Sequence, residues 1–234
     1  MTFQPTPNAI DSIAACARFN CATALFGIIL AAVVLGGCSA LPDKPQRATL
    51  FDFGPGTVTQ QATTRQAPLP ALAIDDITTA GGVLDNSAVL YRLGYQDEQE
   101  LRVYTLARWS MPPAQLVRQR LRDRLSLSRP VYNARESLAL NRSQNAVLPL
   151  QVRLELLEFS HFFSSPSSSV GLVKLRATLV EVTPGGEKLI NQRAIVVQRP
   201  APSADAPGGV RALTLATDAA IDEIEQWLQV SASR

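Results

Sequence analysis

Apolar and polar residues alternate strictly from Leu150 to Leu156, with Leu150, Val152, Leu154 and Leu156 on one side and Gln151, Arg153 and Glu155 on the other. That is the period of a half-buried strand. Val173, Leu175, Ala177 and Leu179 repeat the pattern and are predicted to pair with it. Both runs slip phase, at Leu156-Leu157 and at Leu179-Val180, which predicts β-bulges. Pro184-Gly185-Gly186 turns the chain into a last strand, Leu189 to Gln198. Earlier, Ala48 to Phe53 reads as a strand stopped by Gly54-Pro55-Gly56, and 57–68 reads as a polar loop. Leu69 to Ile77 is a second apolar run, and Val89–Tyr95 and Leu101–Trp109 are strands flanking a charged turn at Gln96–Glu100. Pro130 to Tyr132 begins another short strand.

Two segments change period. Leu116, Val117, Leu121 and Leu125 recur at helical spacing, with Ser110 able to cap and Pro112-Pro113 suited to a first turn; this helix is expected to end near Ser128. After a loop rich in Pro, Gly, Ala and Ser, the positions Leu213, Ala216, Ala220, Ile224, Trp227 and Leu228 mark a C-terminal helix. Strands punctuated by two main helices predict an α/β two-layer sandwich of the α+β class, with a largely antiparallel sheet and its helices on one face.

Ahead of this domain lies an uncharged run from Ala22 that closes on Leu35-Gly36-Gly37-Cys38 and resembles the lipobox of bacterial lipoprotein precursors. In that motif small residues let a peptidase approach the backbone, and the cysteine sulfur takes a diacylglycerol. The run is 16 residues long, short of the ~20 needed to span a hydrocarbon core, and Arg18 blocks its extension. The chain therefore divides into a lipoprotein signal peptide (1–37), a tether (38–47) and one domain (48–230), with Cys38 as the lipidation site. At ~3.3 Å per residue the stretch from Cys38 to Leu50 reaches at most ~40 Å. Ser39 follows the cysteine where inner-membrane retention signals typically carry aspartate, so outer-membrane sorting on the periplasmic face is expected.

Composition narrows the chemistry. Cys16 and Cys21 leave with the leader and Cys38 is spent on lipid, so a disulfide or thiolate metal site within one mature chain is excluded. His161 is the sole histidine, which excludes a histidine-rich metal site, and it reads as an exposed loop residue. Gly54-Pro55-Gly56 lacks a third glycine and a following helix, and no Gly-x-Ser-x-Gly elbow is present. Asp75-Asp76 and Asp222-Glu223 are adjacent pairs without an acid-base geometry. A net charge of +2 leaves no nucleic-acid footprint. No enzyme activity and no cofactor are expected.

Two features point to contacts. The first helix carries Arg118, Arg120, Arg122 and Arg124, and the last carries Asp218, Asp222, Glu223 and Glu225; Arg118, Arg122 and Arg124 with Asp218, Asp222 and Glu225 are the candidate interface. This opposition of sign either sets the register of the two helices or offers unlike surfaces for a homo-oligomeric contact. The second feature is Phe162-Phe163 within Ser160–Ser169, read as an exposed aromatic pair on a serine-rich hairpin loop that could meet lipid or a partner, with anchoring of the loop base as the alternative.

Asp85-Asn-Ser-Ala-Val-Leu-Tyr-Arg92, Tyr104-Thr-Leu-Ala-Arg-Trp109 and Pro112-Pro113 with its spaced leucines resemble the ABC-type transport auxiliary lipoprotein family. Leu50–Phe53, the strand from Leu150 to Phe159 and the acidic terminal helix follow in the expected order, though Phe51 and Phe53 stand where the family often has tyrosines. The resemblance implies a non-enzymatic component of an intermembrane lipid transport system, partnered by an ABC permease and ATPase and by a mammalian-cell-entry-type periplasmic protein. A domain of this size has a radius of gyration of ~16 Å, so bridging two membranes requires such partners. A structural role in outer-membrane assembly or envelope integrity is the alternative.

Overall fold

The computed structural model describes residues 46–56, 69–136, 148–183 and 185–232; Cys38, the tether up to residue 45, the loop 57–68 and Pro184 lie outside them. In chain order the elements are β1 (Thr49–Phe51), β2 (Leu72–Ile74), β3 (Thr78–Thr79), β4 (Ala88–Leu93), β5 (Asp97–Trp109), α1 (Pro113–Ser126), β6 (Val131–Asn133), β7 (Leu150–Ser165), β8 (Ser168–Thr183), β9 (Gly186–Pro200) and α2 (Ala206–Ala232). A 3-10 turn, Gly82–Asp85, links β3 to β4.

The alternating runs become the meander β7–β8–β9, whose two antiparallel ladders run almost the full length of the strands. Between Leu156 and Glu158 the β7 register slips, leaving Leu157 as the extra residue, so the phase break in the sequence is a bulge. At Leu179-Val180 the slip is also present, but the extra residue is Ile190 on β9.

The other edge of β7 is shared. β2 pairs with it at Leu150–Val152, β3 at Glu155–Leu156 and β4 at His161–Phe163, all in parallel. β5 is antiparallel to β4, whereas β1 joins β5 and β6 joins β2 in parallel. The result is a single mixed, strongly curled sheet whose longest ladders are antiparallel, of the α+β class with two main helices.

Helix α2 lies across β7, β8 and β9, and α1 packs beside it, against β6 and the 3-10 turn. Leu116, Val117, Leu121 and Leu125 form the buried stripe of α1. Pro112 rather than Ser110 occupies the cap position of α1 and supplies no side-chain bond; the Ser110 amide instead donates to the Phe51 carbonyl, fixing β1 to the strand end. Beneath the helices Phe53, Trp109 and Phe159 meet with ring centroids 5.6–6.1 Å apart.

Helix α2 starts earlier than the periodicity predicts, because Pro207-Gly208-Gly209 is helical. Pro207 falls in the first turn, where its missing N–H costs nothing, and the Asp205 carboxylate caps the end by accepting from the Gly208 amide at 2.7 Å. The two glycines leave room for neighbours: a β-carbon on Gly208 would stand 2.0 Å from the Ser203 carbonyl oxygen, and one on Gly209 2.4 Å from His161 Nδ1.

Candidate functional site

Two charged regions flank α1. Towards α2, Arg120 donates to Asp218 at 2.8 Å and to the Phe53 carbonyl at 3.1 Å, tying both helices to the segment after β1. One turn on, Arg124 pairs with Asp222 and with Glu225, each at 3.1 Å. Half-exposed pairs like these contribute little stability individually and mainly set the relative register of the helices.

On the opposite side of α1, Arg118 and Arg122 both donate to the Asn133 side-chain oxygen, at 2.7 and 2.8 Å. Asn133 in turn donates its amide and side-chain N–H groups to Glu136, and these bonds hold the Glu136 carboxyl below the usual carboxylate range, helped by both arginines. An open groove of about 670 Å³ runs alongside, floored by Ile77, Met111 and Ala114 and rimmed by Arg118, Arg122 and Asp85. Asp76 and Asp85 line it together with Arg118 and Arg122, so it presents no single sign of charge.

His161 is fully buried. It faces α2 on β7; its Nδ1 is 2.9 Å from the Tyr104 hydroxyl and its Nε2 2.7 Å from the Ser169 hydroxyl. Phe163 lies against its ring at 4.3 Å, and Tyr91 extends the cluster to Tyr104 at 4.5 Å. Burial pushes the His161 imidazole down to about 4, partly opposed by Asp205 at the start of α2. Burial, reinforced by Tyr91, raises the Tyr104 hydroxyl, so Tyr104 and the imidazole are both neutral at pH 7. Gly209 closes over His161, and the chain of Ser169, His161 and half-buried Tyr104 is a polar link between β5, β7 and β8 beneath the start of α2.

This link has a pH signature. Between an unfolded value of 6.5 and about 4 the unfolded chain binds a proton that the folded one refuses, so stability is complete above pH 6.5 and falls as pH drops. At ~1.4 kcal/mol per unit, roughly 2 kcal/mol is lost between pH 6.5 and 5. Urea unfolding at the two pH values measures the loss, and His161→Gln is expected to flatten it. An unchanged slope in the variant would assign the effect to other groups.

No group of three or more potential metal ligands occurs among the described residues, and no described helix is long and apolar enough to cross a membrane. Residues 51–225, which take in the curled sheet and most of its helical layer, match the family model for ABC-type transport auxiliary lipoprotein components. The chain belongs to that family. A search of curated proteins finds no significant match to this auxiliary lipoprotein. Among solved structures, protein XCC0632 from Xanthomonas campestris is 16% identical, with a TM-score of 0.59, covering 79% of this chain and 97% of the other. A structure described as an uncharacterized protein gives 10% identity and a TM-score of 0.55 over 78% and 99% of the two chains. Hypothetical protein CT253 from Chlamydia trachomatis is 12% identical with a TM-score of 0.46, over 70% and 96%. The first two establish the fold and nothing finer.

Several expected site residues change standing in the auxiliary lipoprotein. Arg124, Asp218, Asp222 and Glu225 meet partners within one chain, with Arg120 taking Asp218, the arrangement that the register-setting alternative describes. Arg118 and Arg122 turn away from α2 towards Asn133. Phe162 and Phe163 are on β7 and not on a loop, because the hairpin closes tightly at Pro166-Ser167; Phe163 is 6% exposed, and Phe162 packs where Gly94 leaves space. His161 is likewise core and not exposed. The spacing Phe159, His161, Phe163 already carried the strand period, a signal masked by the surrounding serines.

Proposed function

We propose that this auxiliary lipoprotein is held by acylated Cys38 at the periplasmic face of the outer membrane and serves, without chemistry of its own, an ABC transporter working with a mammalian-cell-entry-type protein in intermembrane lipid transport. The observation that carries the reading is the family match across residues 51–225 in a chain whose leader ends in Leu35-Gly36-Gly37-Cys38. A domain built around a filled core, with its sole histidine locked between two hydroxyls, supports a binding role over a catalytic one.

The test is purification of the full-length protein from native membranes in mild detergent, followed by identification of what accompanies it. Co-purification of an ABC ATPase, a permease and a mammalian-cell-entry-type protein is the expected result; a β-barrel assembly machine in their place would replace the reading with a structural role in the envelope. A separate prediction concerns the anchor. Cys38→Ala abolishes incorporation of a fatty-acid probe and leaves uncleaved or soluble protein, whereas wild type fractionates with the outer membrane. Probe incorporation that persists in the variant would refute Cys38 as the lipid site.

A further inference from the structure

We infer that the β1–β5 edge of the domain rests on the lipid surface into which Cys38 is anchored. This rests on the reading of Cys38 as the acylated residue and adds which side of the domain meets the bilayer. The first observation is direction. β1 runs parallel to β5, with Thr49 beside Ala107, Leu50 beside Arg108 and Phe51 beside Trp109. Carried backwards, that register brings the chain into the domain abreast of Thr105 and Leu106, so the stretch from Cys38 arrives at this edge.

The second observation is what stands there. Leu50 is 69% exposed, Leu106 47% and Val103 45%. Trp109, Ala107 and Phe51 point to the core, which puts Leu50, Arg108 and Leu106 on the opposite face. β5 is irregular here: Ala88 pairs with Arg108 but Leu90 with Val103, so the strand bows out where its apolar side chains are bare. Up to Leu106 this edge of β5 also lacks a ladder partner among the described residues.

The third observation is charge. Arg47 in the entering chain and Arg108 have no carboxylate within ion-pair distance among the described residues, and Arg108 is held in place by donating to the carbonyls of Tyr104 and Ala107 at 2.8 and 2.9 Å. Bare leucines beside unpaired arginines suit a phospholipid interface, where apolar groups reach the acyl boundary and guanidiniums meet phosphates. The contact need not be strong. A tether of at most ~40 Å already holds the domain at high local concentration, so a weak contact suffices to fix its orientation. Asp97 and Glu98 at the start of β5 disfavour a flat approach to anionic lipid, so the contact centres on Leu50 and Leu106.

The experiment uses full-length protein, processed and acylated in cells, then reconstituted into vesicles of phosphatidylethanolamine and phosphatidylglycerol containing a nickel-chelating lipid. With Cys16 and Cys21 cleaved away and Cys38 acylated, one introduced cysteine is the sole thiol for a spin label. Leu50→Cys and Leu106→Cys should show relaxation by the nickel headgroup several-fold greater than Glu98→Cys, Val196→Cys or Leu215→Cys, all surface positions that leave the core intact. Acylated protein giving equal relaxation at all five sites, or more at 196 or 215, overturns the orientation alone. Absence of acyl mass on the Cys38 peptide overturns the anchor and the orientation together.

Discussion

Gly171→Ala is expected to lower stability by about 3 kcal/mol, and Gly171→Val by more, because the added carbon meets main chain and not a side chain that can turn away. A β-carbon at this position of β8 would stand 2.4 Å from the Ala212 carbonyl carbon and the Leu213 amide nitrogen of α2, and 2.7 Å from the Ala212 oxygen. Ordinary contact would require the helix to rise by about an ångström along a stretch that buries Val210, Leu213 and Ala216. Losing glycine's unfolded-state entropy returns only ~0.5–1 kcal/mol. Gly81→Ala is the control: its backbone is extended at φ 177 and nothing lies within 4 Å of the added carbon. Urea midpoints followed by the fluorescence of Trp109 and Trp227 give the comparison, and equal midpoints for the two alanine variants would show that α2 does not lie this close to the sheet.

Leu121→Ala should cost ~2–5 kcal/mol, the range for deleting a large buried side chain. Leu121 sits at the centre of the α1 stripe with no exposed surface, one position from the arginine that ties α1 to Asp218 and the Phe53 carbonyl. Val117 and Leu125, one turn before and one turn after it, are buried just as completely, so collapse into the vacated space is limited and the cost lies towards the upper half of the range. Leu127→Ala, at the C-cap just past the end of α1 and 48% exposed, should change stability by less than ~0.5 kcal/mol. A loss below that figure at Leu121 would mean that the helix presents a different face to the core.

The residues differ in how openly they declared these roles. The Leu156-Leu157 phase slip was legible because a two-residue period shows every misstep, and the α1 stripe because four apolar positions recur without interruption. The first turn of α2 was not, since Pro-Gly-Gly has the composition of a loop; its glycines serve close approach to Ser203 and His161, a tertiary requirement that no local propensity encodes. Serine content hid the upper half of the β7–β8 hairpin in the same way, although Ser160 and Ser169 are buried there. The arginines and acids were visible, but not which would meet: Arg120 proved the deepest tie, and Arg118 and Arg122 found Asn133 through β6, a strand of three residues. The anchor motif remained a matter of sequence throughout.

The shared edge of β7 also dictates an order of assembly. Strands β2, β3 and β4 emerge before β7 when the chain is made or exported, yet each needs β7 for a parallel ladder, β4 alone having a local partner in β5, and the Thr78 hydroxyl donates to a carbonyl 76 residues further on. The meander β7–β8–β9, by contrast, closes on itself through tight turns and can zip locally. The C-terminal half therefore acts as the template and the N-terminal half as the late arrival. Until it arrives, the first apolar runs have no home, which places a premium on an escort that binds extended chain during passage to the membrane.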